Sequence, residues 1–168
     1  MKKFTLVLAF IGMITLESCS TNDNTDNDTI SEVFELRNVN FGFDAQNGYS
    51  IYRTLNPQIR LDDVILIYRL SGTIDSSTPI WQQIPRTLYL NEGELDYDFD
   101  FSKEDFTIYA GGTYDLSLTP TFLNNQTFRI VIIPGYLSNK NKENIDYSDY
   151  ASVARALKIT ESQIKVLN

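Results

Sequence analysis

The chain has 168 residues, a formal net charge of −8, one cysteine and no histidine. The missing histidine excludes Ser-His-Asp and Cys-His catalysis, imidazole acid–base chemistry and every zinc site that uses His. The lone cysteine excludes an internal disulfide, thiolate zinc and iron–sulfur sites, and the acidic balance argues against nucleic acid as a partner.

The N-terminus reads as an address. Lys2 and Lys3 precede an apolar run from Phe4 to Leu16, and after Glu17-Ser18-Cys19 the composition turns abruptly to Ser, Thr, Asn and Asp. That is the order of a secretory signal. As a helix the run would reach about 20 Å, short of the ~30 Å hydrocarbon core, so residues 1–18 are expected to be a signal peptide rather than a span. Leu16-Glu17-Ser18-Cys19 resembles a bacterial lipobox, with Glu17 its less common occupant. The resemblance implies a diacylglycerol on Cys19, cleavage before it and acylation of the new amino terminus. The expected partner is then the lipid bilayer, held through acylated Cys19, because two or more chains anchor stably. The expected location is the outer membrane, facing the periplasm or the cell surface. Removing residues 1–18 takes away Lys2, Lys3 and Glu17 and moves the net charge from −8 to about −9.

Residues 19–31 hold the lipidated cysteine and a polar, acidic stretch with too little apolar content to build a core. They read as a tether of about 20 Å as a coil and up to ~40 Å extended. Asp23, Asp26 and Asp28 loosely resemble the surface-export signal of Bacteroidota lipoproteins. Asp28-Thr29-Ile30 resembles the O-glycosylation acceptor pattern of the same bacteria, with Thr29 as acceptor. The run lacks the glycine and bidentate Glu spacing of a calcium loop.

From Glu32 the pattern alternates with period two. Phe34 and Leu36 alternate, Asn38 breaks the pattern, and Val39, Phe41 and Phe43 resume it. Asp44 to Gly48 is a turn with Gly48 suited to positive φ. Tyr49–Leu55 is a strand ended by Asn56-Pro57, and Val64–Leu70, apolar on both faces, is a central strand. Ser71 to Pro79 reads as a loop, and Ile80–Ile84 and Arg86–Leu90 as short strands split by Pro85. Asn91-Glu92-Gly93 is a hairpin turn signal.

Glu94–Phe101 has the cleanest alternation. Leu95, Tyr97, Phe99 and Phe101 face one side and Asp96, Asp98 and Asp100 the other. Phe106–Tyr109 is a strand, Tyr114 to Phe122 is ambiguous, and Gln126–Ile133 is a long buried strand. A helix is expected over Ser148 to Lys158, where Tyr150, Val153, Ala154 and Leu157 form one apolar face. Ser148 is its expected cap, with Asp149 in the first turn. Thr160 and Gln163 can form a capping box, while Ile164 and Val166 favour a last strand. The sum is a single mostly-β domain over 32–168. An antiparallel β-sandwich, Ig-like or similar, is expected, with a short C-terminal helix closing an open edge or end.

VILIYRL, WQQIPRTLYL, ELDYDFDF and QTFRIVIIPGYL, in this order behind a lipobox, resemble a family of small Bacteroidota lipoproteins. The resemblance brings no activity, cofactor or site residues to carry over. No G-x-G-x-x-G follows a strand, so a dinucleotide flavoenzyme is not supported.

Three side-chain groups deserve a functional reading. Asp96, Asp98 and Asp100 stand about 6.8 Å apart along one strand, within the range of paired glycosidase carboxylates. Such a row more often makes a solvated face that discourages edge pairing, with weak cation or ligand binding as its modest functional role. Trp81 and the tyrosines offer stacking surfaces for sugars, but a lone Trp more often packs between the sheets of a sandwich. Tyr136, Tyr147 and Tyr150 lie near loops, where they are freer to bind. The expected function is therefore that of a non-enzymatic binding or structural module at the cell envelope, with a glycan or an envelope protein as partner. The alternatives are a carbohydrate-binding subunit of a polysaccharide-uptake system and a carboxylate-only hydrolase. No cofactor and no metal are expected.

Overall fold

The computed structural model describes residues 31–140 and 145–167. One sheet holds β1 (Glu32–Val39), β4 (Val64–Asp75), β5 (Thr78–Ile84), β9 (Gln126–Ile133) and β10 (Lys165–Leu167), in the order β10-β1-β9-β4-β5. The other holds β2 (Gly42–Asp44), β3 (Gly48–Thr54), β6 (Arg86–Tyr89), β7 (Glu94–Phe101) and β8 (Asp105–Gly112), in the order β2-β3-β8-β7-β6. Pairing is antiparallel except for β10, which lies parallel to β1. The two sheets form a β-sandwich with short helices α1 (Gly135–Lys140) and α2 (Tyr150–Ala156).

The alternation read from sequence decides what lies between the sheets. Leu36, Ile65, Ile67, Phe128 and Ile130 from the first sheet meet Ile51, Leu95, Tyr97, Phe106 and Ile108 from the second. Each fully buried aliphatic or aromatic side chain contributes about 1.5–3 kcal/mol. The breaks also have local causes. Asn38 takes φ 53, and the β1–β9 register shifts between Leu36 and Val39. Gly48 takes φ 70 in the turn between β2 and β3. Pro85 stands where the chain leaves the first sheet at Ile84 and enters the second at Arg86.

β9 is buried along nearly its whole length because both its faces are covered. Its inner residues join the inter-sheet core. On its outer face Val131 and Ile133 join Val33, Tyr68, Tyr150 and Val153 in a second core beneath α2. The helix therefore covers a sheet face, not the open edge or end expected from sequence. The periodicity showed that the helix has one apolar stripe, but not which surface was left to meet it. Asp149, not Ser148, caps it, its carboxylate accepting from Ala151 N and Ser152 N, while Ser148 Oγ donates to Asp146.

Ser71 to Pro79 is not a loop. β4 runs on to Asp75 and β5 starts at Thr78, making an arm whose residues 71–80 are all exposed. Glycine, serine and threonine on an unburied ladder give no hydrophobic alternation to read. Tyr114 to Phe122 resolves into 3-10 turns at Leu116–Leu118 and Pro120–Phe122. The capping box of Thr160 and Gln163 forms, and β10 follows it directly.

Candidate functional site

The two outer faces of the sandwich differ. The first sheet's is sealed by α2 and the segment after it. The second sheet's is open to solvent, and the three aspartates lie there. β7 turns Leu95 and Tyr97 into the core and leaves Asp98 and Asp100 exposed, with Asp96 half-buried. Register sets Asp98 beside Tyr109 and Asp100 beside Thr107 on β8, with Ser50 and Tyr52 beyond them on β3.

Hydrogen bonds divide these carboxylates among separate partners. Thr87 Oγ1 donates to Asp96, Tyr109 Oη to Asp100 at 2.9 Å, and the Phe99 amide to Asp98 at 2.7 Å. Tyr52 Oη donates to Asp105 at 3.1 Å. The bonds to Asp105 and Asp100 hold the Tyr52 and Tyr109 hydroxyls above the usual phenol range, so both stay protonated donors. Among the described residues no group of three or more Asp or Glu side chains converges as a metal cage would. The row thus offers acceptors and phenol rings side by side. It suits hydrogen bonding to a polyhydroxylated surface better than acid–base work on one reacting atom.

Trp81 is half-buried, but it does not lie between the sheets. It packs in the outer core, with its ring 5.8 Å from that of Tyr150. Tyr150, expected near a loop and free to bind, is buried at 8% exposure because it forms the helix's inner face. Tyr147 and Tyr136 are exposed. Cys19, Thr29 and the signal peptide lie outside the described residues, as does most of the tether.

Sequence reasoning attached nothing to two arginines, yet each is a charge inside an apolar strand, which was the available signal. Arg129 projects from the outer face of β9. Its Nε donates to Glu35 at 2.7 Å, and its two terminal nitrogens clasp Glu161 at 2.9 and 2.7 Å. Its guanidinium carbon lies 4.4 Å from the Trp81 ring centre and 4.8 Å from that of Tyr150. Burial alone would raise the Glu35 carboxyl, but Arg129 and Arg37 outweigh it and hold it below the usual carboxylate value.

Arg69 projects from the inner face of β4, in register with Phe128 and Gln82, at one end of the inter-sheet core. It is only 7% exposed. Its Nε donates to Gln126 Oε1 at 2.8 Å, and its guanidinium carbon lies 4.7 Å from the Tyr97 ring centre and 5.7 Å from that of Phe122. Gln126 also lines an open depression of about 430 Å³ with Pro120, Thr121, Asn124 and Asn125. Elsewhere, Phe34, Leu55, Ile59, Ile132 and Leu167 line an apolar slot of about 160 Å³.

Among the described residues no helix is long and apolar enough to cross a membrane. No family model, curated protein or solved structure matches the chain.

Proposed function

We propose that this chain is a lipid-anchored, non-enzymatic binding module of the cell envelope, displaying its sandwich on a polar tether from acylated Cys19 at the outer membrane. The observation that supports a binding role is the asymmetry of the sandwich. One outer face is sealed by α2, while the other presents Tyr52, Asp98 and Asp100 to solvent with Tyr109 half-buried beside them. Phenol rings beside fixed carboxylates match the needs of a glycan surface, which offers apolar ring faces for stacking and hydroxyls for acceptors.

Two experiments test the two halves of this reading. Cys19→Ala should shift the protein out of the membrane fraction or leave it unprocessed. Mass spectrometry finding an unmodified Cys19 in membrane-bound protein would sink the anchor. On a glycan array, retention of some glycans should be lost in a Tyr52→Ala, Tyr109→Ala double variant. Glycan retention unchanged by that variant would remove the face from consideration, and hydrolysis of a glycan abolished by changing Asp98 or Asp100 would replace the module with an enzyme.

A further inference from the structure

The strands give the sandwich two ends, and the domain begins at one of them. Glu32 opens β1 and pairs with Ile132 near the end of β9, which pairs in turn with Ile65 near the start of β4. The segment from Leu55 to Asp63, which brings the chain from β3 to β4, lies across the same end. It is tied to the turn between β7 and β8, with Leu55 N donating to Glu104 O and Ile59 N to Lys103 O. The apolar slot lies here too, with Glu32, Pro57 and Ile59 in its wall.

This end holds a leucine out to solvent on a fixed turn. Leu61 is 92% exposed. It stands between Arg60 and Asp63, which are joined twice: Asp63 N donates to Arg60 O at 3.2 Å, and Arg60 N to the Asp63 carboxylate at 2.8 Å. Asp63 is itself only 8% exposed, and its other carboxylate oxygen accepts from Gly135 N at 3.2 Å. Gly135 packs so closely on this turn that a Cβ there would collide with Asp62 O. The turn is thus tied at three points, and Leu61 keeps its apolar surface in water at a cost. Val64, the first residue of β4, and Phe101, the last of β7, are exposed at the same end.

The charges at this end cancel in pairs. Arg60 meets Asp62 at 3.1 Å, Lys103 meets Glu104 at 3.3 Å, and Lys165 meets Glu32 at 2.7 Å. The chain as a whole carries −8, and Asp98 and Asp100 leave the open sheet face negative. Anionic lipid repels that face but not an end whose charges are paired. In the reading that Cys19 is lipidated, on which this inference rests, residues 20–31 separate the anchor from Glu32 and reach at most about 40 Å. One leucine would not bring a free domain to a membrane. So short a link, however, holds this end near the bilayer at an effective concentration on the order of millimolar. We propose that this end of the sandwich is a docking surface for the bilayer that carries the anchor. Leu61 inserts at the boundary of headgroups and acyl chains, with the ion pairs at headgroup level. The strands then stand along the membrane normal, and the open face of the second sheet points sideways, clear of the lipid.

The test uses the mature lipidated chain reconstituted in vesicles of phosphatidylethanolamine and phosphatidylglycerol. Cys19 is the only cysteine, and in the lipidated chain its sulfur carries the diacylglycerol. Leu61→Cys and Leu118→Cys therefore each present one free thiol for an environment-sensitive fluorophore. β8 runs from Asp105 at the docking end to Gly112 at the other, and Leu118, 67% exposed, follows it there. Both positions are exposed, so neither substitution removes packing. The label at 61 should shift to the blue and be quenched by spin-labelled lipid, and the label at 118 should do neither. Arg60→Glu in the Leu61→Cys background leaves Asp62 without its cation, so it should reduce quenching at 61, and more so as phosphatidylglycerol increases. Equal quenching at 61 and 118, or none at 61, in protein that floats with the vesicles overturns the docking while the anchor stands. Quenching at 61 that Arg60→Glu leaves unchanged overturns the role given to the paired charges. Protein that does not float with the vesicles fails the anchor itself, and the docking falls with it.

Discussion

Glu35 and Arg129 stand directly opposite each other on β1 and β9, joined at 2.7 Å, and both are only 5% exposed. Removing one partner of a buried pair leaves the other uncompensated, which typically costs 3–5 kcal/mol. Arg129 keeps Glu161 in a Glu35→Gln variant, so the expected loss is about 3 kcal/mol, the low end of that range. The Glu161 side chain is 75% exposed, and Glu161→Gln should cost no more than about 1 kcal/mol. Urea unfolding of both variants checks the order; equal losses would mean that burial does not set the strength of this network.

The same pair predicts a pH dependence. Glu35 in the folded chain sits below its ordinary value of 4.5, so the unfolded chain binds its proton more readily. Its contribution is fully present above pH 4.5 and is lost as the pH falls through the lowered folded value. The stability gap between wild type and Glu35→Gln should therefore be constant at neutral pH and shrink below about pH 4.5. A gap that widens on acidification contradicts this sign.

Much of this fold was legible in the sequence. Leu95 and Tyr97 announce themselves by period-two alternation, the aspartates of β7 by its other phase, and Phe128 and Ile130 by their place in a long strand read as buried. The arm of residues 71–80 was not legible, because a ladder that buries nothing leaves no apolar pattern. Nor was the seat of Trp81: alternation assigns a residue to a face, but only the placement of α2 decides whether that face is wet. The arginine sockets were half-legible. A charge inside VILIYRL or QTFRIVII is visible at once, while its ring partners Tyr97, Phe122, Trp81 and Tyr150 come from separate strands, turns and the helix.

The arm gives a prediction about autonomy. β4 pairs with β9 from Val64 to Arg69, and beyond Leu70 it pairs only with β5. The tip is ordered by Asp75, whose carboxylate accepts from Ser77 N, Ser77 Oγ and Thr78 Oγ1. Replacing residues 72–79 with a two-residue Asn-Gly turn should leave sandwich stability within about 1 kcal/mol, since exposed substitutions away from packed features cost little. A loss of several kcal/mol in denaturant unfolding would show that the arm supports the core.

The chain's single tryptophan reports on the helix. Trp81 packs against Tyr150 at the first position of α2, and the Asp149 carboxylate caps that helix by accepting from Ala151 N at 3.0 Å and Ser152 N at 3.2 Å. Removing an N-cap costs about 1 kcal/mol. With only the seven residues from Tyr150 to Ala156, α2 draws its stability from docking rather than from intrinsic propensity. Asp149→Ala should therefore loosen the docked helix before the inter-sheet core yields. Tryptophan emission should shift to the red at a lower urea concentration than the strand signal in far-ultraviolet circular dichroism, whereas in the wild type the two transitions coincide. Val153→Ala, which removes a fully buried side chain from the same interface, should separate the transitions further. If both signals still move together in both variants, the helix and the sandwich unfold as one unit, and the outer core is as integral to the fold as the core between the sheets.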